Sequence, residues 1–105
     1  MSSPAFQQVV AEFVAAHQLE APPEIRVLDL VSEVGEVAKE VLKGSAYGQQ
    51  PFRSTEEWAG ELADCFFSLI CLANGTGVNL EAEVAEVLAK YQRRLRQTGG
   101  AGSGR

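Results

Sequence analysis

Apolar residues recur at three- and four-residue steps through most of this chain, a period that predicts helices rather than strands. In the first segment Phe6, Val9, Val10, Phe13 and Val14 share that spacing, and Ser3-Pro4 reads as an N-cap with proline at the first helical position. That helix is expected to run to about residue 18. Pro22-Pro23 breaks the pattern and opens a second helix, about 24–43, with Ile25, Leu28, Val31, Val34, Val37 or Ala38, Val41 and Leu42 at apolar positions. Gly44 stands where a glycine commonly ends a helix. A loop with Gly48 and Pro51 follows, and Ser54-Thr55-Glu56-Glu57 forms a capping box for a third helix lasting to about residue 74. Asn79 caps a fourth helix, about 80–97. The last residues, GGAGSGR, offer nothing to a core. The pattern predicts an all-α, four-helix fold with residues 1–97 as one domain and 98–105 as a flexible tail.

The third helix changes this picture. Its run ADCFFSLICLA is apolar around nearly the whole circumference, and such a helix needs neighbours on every side. A chain this short buries a limited share of its surface. A homo-oligomer, dimer or tetramer, whose subunits share a core answers the mismatch. A monomeric bundle with a central third helix is the alternative.

Composition narrows the class of function. The 105 residues are 46% hydrophobic and 22% charged, as in an ordinary globular domain. The net charge of -5 argues against a broad nucleic-acid surface. The longest apolar stretch, residues 65–73, is half the length of a membrane span. The N-terminus has no basic-then-apolar leader pattern. Cys65 and Cys71 lie about 9 Å apart along one helix, too far for a disulfide. Reduced thiols suit a cytoplasmic protein. The charge is also unevenly spread. All fourteen acids lie between Glu12 and Glu86, whereas Lys90, Arg93, Arg94, Arg96 and Arg105 follow with no acid among them.

The acids form stripes. Asp29, Glu33, Glu36 and Glu40 share one face of the second helix, and Glu57, Glu61 and Asp64 share one face of the third. A solvated acidic face would explain the first stripe alone. Asp64, however, sits inside the most apolar segment of the chain, where a carboxylate is costly unless paired or metal-bound. Two antiparallel helices can turn Glu33 and Glu36 toward Glu61 and Asp64. Four carboxylates at one focus require a cation, and hard oxygen ligands suit Mg²⁺ or Mn²⁺. With His17 the only histidine, zinc is a poor fit. Magnesium favours phosphate oxygens as co-ligands, so the expected substrate is a phosphorylated anion.

Glu33-Val-Gly-Glu36, then Glu61-Leu-Ala-Asp64 after residues 37–60, resembles the MazG-type all-α nucleoside triphosphate pyrophosphohydrolases, whose motif reads EExxE, a spacer, then ExxD. The likeness covers roughly residues 25–96. Ser32 stands where the family often has its first glutamate. The resemblance implies Mg²⁺-dependent hydrolysis of a nucleoside triphosphate to the monophosphate and pyrophosphate, in the service of nucleotide-pool house-cleaning. It implies Glu33, Glu36, Glu61 and Asp64 as metal ligands, with Glu33 or Glu36 activating water. Lys90 and Arg94, one turn apart, would meet the phosphates, and Lys43 could approach from the loop. Asn79 could contact sugar or base as well as cap its helix. The first helix and the Tyr47 loop are the expected walls of a base pocket. Two alternatives stand beside this reading: a phosphoribosyl-ATP pyrophosphohydrolase of the same fold, and a non-catalytic helical interaction module.

Overall fold

A computed structural model describes residues 4–98. Four helices follow one another, α1 (Ala5–Ala16), α2 (Pro23–Gly44), α3 (Trp58–Gly75) and α4 (Leu80–Thr98), with no strand among the described residues. Ser3, expected to cap α1, and residues 99–105 of the expected tail lie outside the described residues. Pro4 holds the cap position of α1. Pro23 occupies the first position of α2, where its missing N–H costs nothing.

Two helix ends differ from the sequence pattern. Gly44 does not leave α2 in a left-handed conformation but closes it as the last helical residue. A Cβ there would overlap the Arg53 carbonyl oxygen and the Phe52 ring, so close approach of the returning loop demands glycine. The left-handed residues come just after it, at Ala46, Tyr47 and Gly48. Ser45 holds that turn: its hydroxyl donates to the Val41 carbonyl at 2.8 Å and accepts from the Gly48 N–H at 3.0 Å. At the start of α3 no side chain caps the helix. The Thr55 hydroxyl of the expected capping box donates instead to the Glu40 carboxylate.

Packing runs through α3, which lies against α2 and α1. Ile70, Cys71 and Ala73 are buried there. Phe6 meets Phe66 edge-on at 5.4 Å and Phe13 meets Phe67 at 6.4 Å, joining α1 to α3. Gln7 ties α1 to the α3–α4 turn. Its buried amide donates to Asn74 Oδ1 (3.0 Å) and the Val78 carbonyl (2.8 Å), and its oxygen accepts from the Leu80 N–H (2.8 Å). Asn74 Nδ2 returns a bond to the Gln7 carbonyl at 3.0 Å. Each orphaned buried group costs about 1–3 kcal/mol. Gln7→Leu is therefore expected to lower the thermal midpoint clearly, while Gln8→Leu, at the exposed neighbour, leaves it nearly unchanged; circular-dichroism melts compare the two.

α4 buries no residue and lies along none of the other helices. The radius of gyration is 17.0 Å, against about 13 Å for a compact chain of this length. No described helix is long and apolar enough to cross a membrane.

Candidate metal centre

Glu33 sits mid-way along α2, and Glu61 and Asp64 occupy the first half of α3. Because α2 and α3 pack together, one carboxylate oxygen from each of these three residues comes within 4.8 Å of the others. Glu33 and Glu61 are half-buried and Asp64 is exposed. Partial burial pushes the Glu61 carboxyl above the ordinary carboxylate range, and the charges of Asp64, Glu36, Glu33 and Glu40 push it the same way. Helix i,i+3 spacing brings Glu61 and Asp64 together, and interhelix packing adds Glu33. Such a focus of hard oxygen donors suits a small divalent cation, and the repulsion on Glu61 is what a cation would relieve.

Asp64 differs from expectation in one respect. It is exposed, and its apolar neighbours Leu62 and Phe66 are themselves about half exposed in the single chain. Its desolvation is therefore not what calls for a cation; the closeness of two other carboxylates is.

The remaining candidates fall in different places. Glu36, one turn along α2, lies outside the trio, adds to its field, and pairs with Lys39 at 3.7 Å. Glu40 is buried, not a solvated acid: it receives Thr55 and, at 3.2 Å, the Lys43 ammonium. The Thr55 hydrogen bond is the largest influence holding Glu40 below the ordinary carboxylate range. The hydrogen bond to Glu40 in turn raises Lys43, helped by the charges of Glu40, Glu57 and Glu36. Lys43 thus stands in the last turn of α2 with its head largely in solvent. Asn79 caps α4 by accepting the Ala82 N–H at 3.0 Å. Lys90 and Arg94 flank the Tyr91 ring at 5.3 and 5.7 Å. α4 makes no extended packing against α2 or α3 of the kind those two make with each other.

Residues 22–98 match the model of the MazG nucleotide pyrophosphohydrolase domain. The chain belongs to the MazG family. The matched span holds α2, α3 and α4 with every candidate carboxylate, and leaves α1 outside. Over 68 residues the chain is 37% identical to the uncharacterized protein YpjD of Bacillus subtilis, covering 62% of this chain and 60% of that relative. No solved structure matches the chain. The all-helical architecture is that of the MazG domain, and Glu33, Glu61 and Asp64 all fall on the two stretches that carry the MazG resemblance.

The Gln7–Asn74 latch and the Glu40–Thr55 pair carry no signal in the sequence. Gln7 sits beside an equally polar, exposed Gln8, and nothing in the spacing distinguishes them. Thr55 fits a capping box equally well, so its turn toward Glu40 emerges only in three dimensions.

Proposed function

We propose that this MazG-family chain hydrolyses a nucleoside triphosphate to the monophosphate and pyrophosphate with Mg²⁺ or Mn²⁺ as cofactor. The observation that carries the reading is the meeting of Glu33, Glu61 and Asp64 within 4.8 Å. These three would hold the ion, with Glu36 alongside as a further ligand or as the base. When bound, the cation supplies charge neutralisation of the phosphates and orientation for in-line displacement. Glu36 lies next to the trio without joining it, so we assign it the proton of the attacking water. Water adds at phosphorus, the α–β anhydride bond breaks, and pyrophosphate leaves with its electron pair. Lys43 offers a counter-charge from the last turn of α2. Lys90 and Arg94 serve the phosphates, and Asn79 the sugar or base, in the assembled protein. The reaction would serve nucleotide-pool cleaning in the cytoplasm.

The assembly is a homo-oligomer in this reading. Support comes from the apolar surface of the single chain: Phe6 is 68% exposed, Leu28 64%, Val31 63% and Leu88 60%. Monomeric soluble proteins rarely leave contiguous apolar patches beyond a few hundred Å² in water. An α4 with no extended packing against the other helices of its chain leaves its apolar stripe for another chain to cover.

Calorimetric titration with Mn²⁺ tests the centre. Saturable binding is expected, much weakened in Glu61→Gln. Heat no greater than that of a scattered acidic surface, unchanged by Glu61→Gln, would instead favour a non-catalytic helical module.

A further inference from the structure

A cavity of about 210 Å³ lies between α1, the α1–α2 linker, α2 and α3, lined by Ala11, Val14, Glu20, Arg26, Cys71 and Gly75 among others. Its position relative to the carboxylates follows from helix arithmetic. Arg26 precedes Glu33 by seven residues on α2, and Cys71 follows Asp64 by seven on α3. Seven residues make nearly two turns, so both pairs lie on the same helix faces, about 10.5 Å apart along the axes. The two helices pack against each other, and the cavity therefore continues the seam that holds the carboxylate trio.

The walls and volume define what fits. Whole small-molecule clefts are about 300–1,000 Å³. This space is smaller and takes a single nucleobase rather than a complete nucleotide. Ala11, Val14 and Gly75 give flat apolar contact. Arg26 gives direction: its side chain is only 11% exposed, and its guanidinium donates to the Leu19 carbonyl at 2.6 Å and lies 3.9 Å from the Asp29 carboxylate. A guanidinium has five N–H donors and no acceptor, so the others favour carbonyl and ring-nitrogen acceptors. Glu20 adds an acceptor at the rim. The Asn74 amide is held by Gln7, which keeps that wall fixed.

We infer that this cavity is the base site of the triphosphate whose phosphates face Glu33, Glu61 and Asp64, and that Arg26 selects a carbonyl-bearing base, guanine ahead of adenine. The inference rests on the proposed triphosphate reading, but its test needs neither metal nor turnover. Gly75 supplies the variant. Gly75 lines the cavity, a Cβ built there meets no atom within 4 Å and the backbone is helical, so a larger side chain at this lining position is carried without a clash near its root.

The experiment follows backbone amide shifts while guanosine, uridine and adenosine monophosphates are titrated into the full chain in EDTA. Guanosine monophosphate is expected to move the Ala11, Cys71 and Gly75 signals and to bind more tightly than adenosine monophosphate. Gly75→Leu is expected to keep its thermal midpoint and to bind about 10–200-fold more weakly, as loss of pocket space does. Gly75→Ala should fall between, and Arg26→Lys should narrow the difference between guanine and adenine. Shifts confined to other residues, or wild-type affinity in Gly75→Leu, would overturn the assignment while leaving the hydrolysis reading untouched. Intact base binding in a protein that releases no pyrophosphate would strike the hydrolysis reading alone.

Discussion

Asp64→Asn is expected to lower Mg²⁺-dependent pyrophosphate release by well over a hundredfold while leaving the metal-free protein as stable as the wild type, or more so. The two effects have one cause. Asp64 is exposed and buries no apolar surface, so its replacement opens no cavity. It stands within 4.8 Å of two other carboxylates, so removing its charge relieves repulsion when no cation is present. The same charge is needed once a cation binds. Changing even a partner hydrogen-bonded to a metal ligand costs about 10–100-fold in metal affinity or activity, and loss of a ligand itself costs more. Glu61→Gln should behave alike, with the larger gain in metal-free stability, because Glu61 bears both partial desolvation and four like charges. Steady-state rates with Mg²⁺ and thermal melts in EDTA read the two halves separately. A variant that loses activity only because it unfolds would show a lowered midpoint, contrary to this account.

The second large effect concerns assembly. Light scattering on the wild-type chain is expected to give a mass two or four times that of one chain. Leu88→Lys should shift it toward the monomer and lower the thermal midpoint together. Leu88 lies on the same stripe of α4 as Val84, Tyr91 and Leu95, and Val84, Leu88 and Leu95 are half or more exposed in the single chain. Burying a leucine contributes about 1.5–3 kcal/mol, and a symmetric dimer counts each substitution twice. Glu86→Lys on the same helix provides the control, since Glu86 is exposed and lies on the face opposite the apolar stripe. A wild-type monomer with full activity would contradict the proposed assembly.

Much of this architecture is legible in the amino-acid sequence. Helical period marks all four helices, prolines mark the starts of α1 and α2, and Asn79 marks the start of α4, because these signals are local and act within a turn or two. The carboxylates are legible as well: i,i+3 steps place Glu61 beside Asp64 whatever surrounds them, and short antiparallel helices bring Glu33 opposite. The all-round apolar character of α3 likewise foretells the exposure of Leu62, Phe66 and Leu69 in a single chain. What the sequence does not disclose depends on contacts between distant residues. Thr55 could cap a helix or reach Glu40, and only the fold of the intervening loop decides. Gly44 could serve a left-handed turn or a close approach, and the Phe52 ring decides for the latter. Asp64 reads as buried because its sequence neighbours are apolar, but sequence neighbours on a helix face different ways. Lys90 and Arg94 share a face of α4 as expected, where both flank the Tyr91 ring.

The measurement that bears most directly on the central claim is ³¹P nuclear magnetic resonance of the products from a panel of standard, deoxy and damaged nucleoside triphosphates with Mg²⁺. At least one substrate is expected to yield monophosphate and pyrophosphate in equal amounts, and none with Asp64→Asn. Orthophosphate with diphosphate as products, turnover restricted to phosphoribosyl-ATP, or undiminished turnover in Asp64→Asn would contradict it.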